Sequence, residues 1–556
     1  MRNVSTVGLV LMSCASAALG TTIQVGPGRT YTTLAAGYNA ASAGDTIEID
    51  SGTYYQSAGW INGINKANLT FRGVGPTRPV LDAGNSATGS KGIFVVGSGG
   101  TNLTVENLEF ANAWISDGLG ANAAGIRAQA SGLTVRNCRF YNDQDGILGG
   151  GGTLLIEYSE FDRCGEDDPA NVNGYGYTHN MYLNGSTLTL RYCWSHDANE
   201  GHIVKSRVAT NYILYNLLST ETGTGSRELQ IANGGTAYII GNVILQGPNS
   251  HNNEIVAYGD ETGISPGVNP NPYLYLVNNT LINQRSNATF LKISTTTNAC
   301  LVQNNIFLGN GGETLIGGTY AGQAVLTTNW VTTNASLANI ADHDYSLTAA
   351  STGAINAGTA PGTGFNNYSL MPVNQYLHPC NYLPRPTNGT IDIGGYEYVA
   401  PNQPPTVNAG ADQDVYEGQL VQLHATASDP DSDPLTYGWT QTAGPTVTLN
   451  GADAADASFA APAVSTVPQA SMTFQVTVND GKGGSANDSV NVRVYLAGDA
   501  SHNDAVDISD LLAVGQAWNT SQADPRYNPS CDFNGDGLVD AADLLLLAGS
   551  WGRTLP

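Results

Sequence analysis

A short alternating segment followed by a turn recurs down the first two-thirds of this 556-residue chain. It reads VENLEF at 105, VRNCRF at 135, IEYSEF at 156, LRYCWS at 190, ILYNLL at 213, IIGNVI at 239, LVNNTL at 276 and VQNNIF at 302, with starts 21 to 37 residues apart. A second series interleaves with it: GIRA at 125, GILG at 146, NMYL at 180, HIVK at 202, ELQI at 228, EIVA at 254 and FLKI at 290. A unit this short cannot bury its apolar side alone, so each must stack on the next. Two or three short strands per coil, variable coil length and Gly or Asn at the bends specify a parallel β-helix; a propeller needs even periods and four strands per blade. Asn216, Asn242, Asn279 and Asn305 fall at equivalent places, where each amide can bond its counterpart one coil away, and are read as structural.

Residues 1–20, with one arginine, an apolar run from Val7 to Met12 and then small residues, read as an export signal, and no later run is long enough to span a bilayer. A secreted or cell-surface protein is therefore expected. The net charge is −25, with 27 acids against 16 bases in 21–400 and 19 against 4 in 401–556, which argues against a nucleic-acid partner. An acidic substrate would need a local basic patch. Six cysteines beyond the signal lack metal-type spacing and are expected as buried thiols or one adventitious bridge.

The coil pattern resembles the pectate-lyase-like right-handed parallel β-helix superfamily over residues 21–400, and IDIGGYEY at 391–398 resembles the closing segment of such helices. The expected class is all-β. After the Pro-rich VAPNQPPTVNAG, residues 401–496 alternate in the manner of a β-sandwich and resemble PKD and cadherin-like modules, read as a spacer. Residues 497–556 contain a duplication with a 33-residue period. Asp532, Asn534, Asp536, Asp540 and Asp543 occupy positions 1, 3, 5, 9 and 12 of a calcium loop, with Gly537 at the sharp turn. Asp499, Ser501, Asn503, Asp507 and Asp510 repeat the set, but Asp504 replaces the glycine. Asp followed by Leu-Leu at position 12 resembles dockerin modules, which implies Ca2+ and a cohesin-type or cell-surface partner.

Lysine occurs only five times, so EGHIVKSR at 200–207 stands out. His179 to His202 and Tyr182 to Lys205 are both 23 residues, and Lys205 to Arg227 is 22, which predicts a ladder of Tyr182, Lys205 and Arg227 over successive coils. Such a ladder suits β-elimination on a uronic-acid polysaccharide, which requires a base, a cation to neutralise the carboxylate and an acid. Glu200, Lys205-Ser206 and Arg227 resemble the alginate lyase and chondroitinase B group. That resemblance implies Lys205 as base, Arg227 as acid or charge stabiliser and Glu200 as a calcium ligand, although Ala198 and Glu228-Leu229 depart from the group's pattern. Tyr182 and His202 are further proton carriers, and His179, Asn180, Arg207 and Glu228 are candidate substrate contacts. Three alternatives stand beside the lyase: a hydrolase using Asp143 and Asp145, a C5-epimerase, and a non-catalytic carbohydrate-binding or adhesin surface carrying Tyr175, Tyr177, Tyr182 and Trp194.

Overall fold

A computed structural model describes residues 20–555, except 56–58, 85–90, 265–266 and 466–469. All but Gly20 of the expected export signal therefore lies outside the described residues. The chain divides into two compact units, 1–399 and 400–556.

In the first unit the chain winds through three parallel sheets of 12, 10 and 11 strands among the described residues. One coil shows the order. Leu103–Glu106 lies in the first sheet, Glu109–Ala111 in the third and Ala124–Ala128 in the second, and Leu133–Arg136 returns to the first beside Leu103–Glu106. In the early coils the strands of the first sheet alternate inward apolar and outward polar residues, as in Thr46–Asp50 and Leu133–Arg136, whereas later strands such as Thr236–Ile240 are buried on both faces. Phe94, Phe110, Phe140 and Phe161 stack up the interior with ring centres 4.6–5.1 Å apart, one ring per coil. Five of the six cysteines in the described residues are buried, Cys380 is half-buried, and all are free thiols.

The corner between the first and third sheets repeats its conformation in nine successive coils. Asn107, Asn137, Tyr158, Tyr192, Tyr215, Gly241, Asn278, Asn304 and Thr328 each take a left-handed conformation there. Gly and Asn adopt it at little cost, whereas a bulky side chain is strained. The three tyrosines offset that strain by stacking, with ring centres 5.1 and 5.9 Å apart. Immediately after the corner comes the expected asparagine ladder. The Oδ1 of Asn242 accepts from both the backbone N–H and the side-chain amide of Asn216 at 2.9 Å, and the arrangement repeats through Asn279, Asn305 and Asn329. Each buried amide is thus satisfied by the next coil.

After the last coil the chain turns back. Tyr345, Tyr376, Ile393 and Tyr396 cover the outer face of the third sheet against Leu217, Val243, Ile282 and Ile306. The IDIGGYEY segment packs along the side of the coils, where the Gly394 N–H donates to the Asn304 carbonyl and the buried Arg385–Glu397 pair closes at 2.9 Å.

In the second unit a four-stranded sheet (Gln413–Tyr416, Ser485–Tyr495, Ala470–Asn479, Thr436–Ala443) and two strand pairs enclose Trp439, Phe459, Phe474 and Val490. That core runs on without a break into the helices Ile508–Ala517 and Ala541–Ser550 through Leu496, Val506, Phe533 and Leu547. The Tyr416 hydroxyl donates to the Ser530 carbonyl at 2.6 Å, and Gln419 donates to the Phe533 carbonyl at 3.0 Å. The expected spacer and calcium module are therefore packed together.

Asn279→Ala removes the acceptor of two buried donors on Asn242. The Asn242 N–H is then left unpaired, whereas its side-chain amide keeps the Ile213 and Ile240 carbonyls, and one such unpaired group costs about 1–3 kcal/mol. The denaturation midpoint of the solenoid should fall by the equivalent of roughly 1–3 kcal/mol; an unchanged midpoint in urea would show that the ladder is dispensable.

Candidate functional site

Strands Met181–Leu183, Lys205–Ser206, Leu229–Ile231, Glu254–Tyr258 and Thr289–Ile293 lie side by side in the second sheet. Tyr182 is the direct neighbour of Lys205, as the 23-residue spacing predicts. The next rung, however, is Gln230 and not Arg227, so the expected three-residue ladder is corrected at its last step. The turn between these strands absorbs the extra residues. Arg227 precedes its strand, where its carbonyl accepts from the Ile203 N–H. Two rungs beyond Gln230 stands Lys292.

His179 and His202 stack with ring centres 4.8 Å apart and planes 6° from parallel. The His202 N–H donates to His179 Nδ1 at 2.9 Å, which leaves the His179 proton on Nε2. Burial holds both imidazoles well below their ordinary range; the charges of Lys205 and Arg207 add to this for His179, and His179, Lys205 and Arg227 for His202. Both rings are neutral at pH 7. The edge of His179 meets the Tyr182 ring, and the Lys205 ammonium lies 5.2 Å from that ring's centre.

The residues that complete this face lie on the 259–272 loop and were not singled out from the sequence. Glu261 accepts from Lys205 Nζ at 2.7 Å, from Gln230 Nε2 at 3.0 Å and from the Arg207 guanidinium. Arg207 also donates to the Tyr182 hydroxyl at 2.7 Å and to Asn233 at 2.6 Å. Burial works against the Glu261 carboxylate, yet Lys205 and Arg207 hold its carboxyl below the usual range. Arg227 instead pairs with Asp260 at 2.9 Å and Glu254 at 3.1 Å, and Lys292 pairs with Glu254 at 2.7 Å. Lys205 and Arg207 thus face one carboxylate, whereas Arg227 and Lys292 face two. The surplus positive charge sits at Lys205 and Arg207. GDE at 259–261 was visible in the sequence as an acidic turn, but nothing there said that it folds back over Lys205.

Several expected site residues lie elsewhere. Asn180 is fully buried, donating to Phe161 O, Ser195 Oγ and His196 O and accepting from the Cys164 N–H. Glu228 is fully buried, with Gln246 and Ser250 as donors; burial pushes its carboxyl up to about 8. Neither side chain reaches a surface-bound substrate. Glu200, expected as a calcium ligand, instead pairs with His251 at 2.5 Å. Asp143 and Asp145 are buried, with their carboxyls raised well above the usual range by burial, and they accept from the Ala113 and His179 N–H groups. Asp143 lies between strands and Asp145 opens the strand Asp145–Gly149, and neither carboxyl is exposed. Trp194 belongs to the third sheet, stacked on His196 at 3.7 Å, and so shares no face with Tyr182.

The two calcium loops are built as their spacing implies. Asp532 accepts from the Gly535, Asp536 and Gly537 N–H groups, and Asp543 from those of Phe533 and Asp540. Asp499 and Asp510 repeat these roles, while Asp507 and Asp540 cap the helices that follow. Asp499, Asp510, Asp532 and Asp543 are buried, and no Lys or Arg among the described residues pairs with them. Burial raises the Asp499 and Asp543 carboxyls. Crowded carboxylates without a basic partner fit a hard dication. Asp504 takes φ +63° where the second loop has Gly537 at +86°, so the first loop carries strain that the second avoids.

Three family models match parts of the chain. Residues 68–244 match the family model of the right handed beta helix region, 409–494 that of a PKD domain, and 497–549 that of the dockerin type I domain. The chain is a modular protein with a right-handed β-helix, a PKD domain and a dockerin type I domain, and dockerin type I domains bind calcium and cohesin-type partners. Chitinase A of Pseudoalteromonas piscicida is 42% identical over 81 residues, which is 15% of this chain and 9% of that enzyme. The chain therefore spans under a tenth of that relative. A solved nucleoside hydrolase-related hypothetical protein from Saccharophagus degradans, described as associated with carbohydrate metabolism, aligns with 26% of this chain and 47% of its own at 16% identity, but with a TM-score of 0.16.

Two outcomes follow from the buried carboxylates. A carboxyl raised from 4.5 to about 8 stabilises the fold fully below pH 4.5, and that contribution is lost as pH rises through 8. Glu228→Gln should therefore flatten the decline in stability between these pH values, as read by thermal melts across the range. In calorimetric titration, Asp532→Ala should cost more calcium affinity than Asp499→Ala, and Asp504→Gly should narrow the gap between the loops. Equal losses would remove the role of Asp504.

Proposed function

We propose that the β-helix is a polysaccharide lyase acting on uronic-acid-containing chains, and that the protein is exported and held at a surface through its dockerin. The observation that carries this reading is the cradle around Glu261: Lys205, Arg207 and Gln230 already grip a carboxylate at hydrogen-bond distance. A substrate uronate would displace Glu261 and place its carboxylate on Arg207, where the guanidinium neutralises it and makes the proton on C5 removable. With its counter-ion displaced and Arg207 beside it, Lys205 first gives up its ammonium proton to solvent, and the neutral amine then accepts the C5 proton. The electron pair forms the C4–C5 double bond as O4 leaves. Tyr182, whose oxygen accepts from Arg207, keeps its own proton to give to the departing O4. Arg227, held by Asp260 and Glu254, takes no direct part.

A second reading rests on Gln230, whose Nε2 donates to both Asp260 and Glu261 at 2.9 and 3.0 Å and so brings two carboxylates together, as a glycoside hydrolase would need. Incubation with a panel of polyuronates separates the two readings. A lyase yields ultraviolet-absorbing unsaturated ends equal in number to the new reducing ends, whereas a hydrolase yields reducing ends alone. On the substrate so found, Lys205→Ala and Lys205→Arg should each lower kcat by at least about 10^2-fold, a typical worth of general base catalysis, and Arg227→Ala should change it by less than about 10-fold. Near-native turnover in Lys205→Arg would move the base to Tyr182, His202 or His179.

A further inference from the structure

A cavity of about 470 Å3 opens away from the second sheet, at the corner between the first and third, where the returning segment Pro379–Asn381 bridges over the coils. Its size falls in the range of small-ligand sites. Its walls carry two guanidinium groups of unequal standing. Arg136 is compensated by Glu106 at 2.8 Å and Glu157 at 2.6 Å. Arg78 donates to Asn137 at 3.0 Å, but no carboxylate among the described residues lies within ion-pair distance of it, and its Nε is buried without a hydrogen-bond partner. The carboxylate on this wall, Glu160, is already engaged by Arg139 at 3.2 Å and His196 at 3.6 Å. In a chain of net charge −25, one uncompensated arginine on a cavity wall is a site for an anion.

The other lining groups narrow the class of ligand. The Tyr158 ring is held against Tyr192 with ring centres 5.1 Å apart, and Tyr192 in turn packs on Tyr215 and Tyr382; on this wall Tyr158 is an aromatic group of the kind on which a sugar ring rests. Asn381 supplies an amide for a hydroxyl group, whereas the Asn137 amide is already engaged by Arg78 and Asn107. We propose that this cavity binds one carboxylated sugar residue, with its carboxylate on Arg78 and its ring over Tyr158, as a non-catalytic subsite. The site holds whether or not the second-sheet face proves to be a lyase centre.

The test uses the full chain carrying Lys205→Ala and Arg207→Ala, so that binding at the second sheet is removed. Glucuronate and galacturonate are titrated at low salt and followed by ligand-observed NMR, with glucose and galactose as neutral counterparts. Acidic sugars should bind and neutral ones bind at least tenfold more weakly. Adding Arg78→Ala should abolish the acidic preference. Asn381→Asp, an exposed substitution that places a negative charge on the rim, should do the same without touching the core. The proposal is overturned if the double variant binds no acidic sugar, if neutral sugars bind equally well, or if both Arg78→Ala and Asn381→Asp leave affinity unchanged.

Discussion

Parallel pairing between successive coils is the constraint from which the rest of the first unit follows. Each coil adds one strand to each of three sheets at a rise of about 4.8 Å, so a residue's height on the solenoid is set by its coil and its direction by its place in the strand. A one-residue slip would reverse every side chain. The asparagine ladder guards against such a slip, because Asn242 can serve both donors of Asn216 only when the two coils are in register. The left-handed corner does the same from outside the core. Its conformation returns at the same point of nine successive coils, and where tyrosine must adopt it the stack of Tyr158, Tyr192 and Tyr215 offsets the strain.

On that frame the chemistry of the second sheet becomes a question of charge balance. Four cations, Lys205, Arg207, Arg227 and Lys292, face three carboxylates, Glu254, Asp260 and Glu261. The imbalance falls on Lys205 and Arg207, and the neutral histidine pair lies against the Tyr182 side of the same cluster. On a strongly acidic molecule such a local surplus, covered by a loop carboxylate, is what the proposed polyanionic substrate would require.

How much of this was legible in the sequence depends on chain separation. Contacts one coil apart could be read directly: His179 under His202 and Tyr182 beside Lys205 both follow from equal spacings, and the asparagines from their place in the repeat. The following step failed because coil length varies in the turns, so that Gln230 replaced Arg227 as the neighbour of Lys205. Glu228 and Asn180 were misread for a related reason. Their polarity suggested the surface, but a buried carboxyl can be kept neutral and a buried amide fully bonded, and neither condition shows in a residue's identity. Glu261 is 56 residues from Lys205, and a contact made by a loop folding back has no periodic signature at all.

In the second unit the shared core has a mechanical consequence. A flexible tether would let the helices Ile508–Ala517 and Ala541–Ser550 swing freely about the sandwich. Here Tyr416 and Gln419 bond directly to the loop that precedes the last helix, and Val506, Phe533 and Leu547 are part of the sandwich's own interior. A pull exerted through the calcium module is therefore carried into the sandwich strands as shear across a packed joint. Whatever grips those helices takes hold of a stiff lever with a set angle.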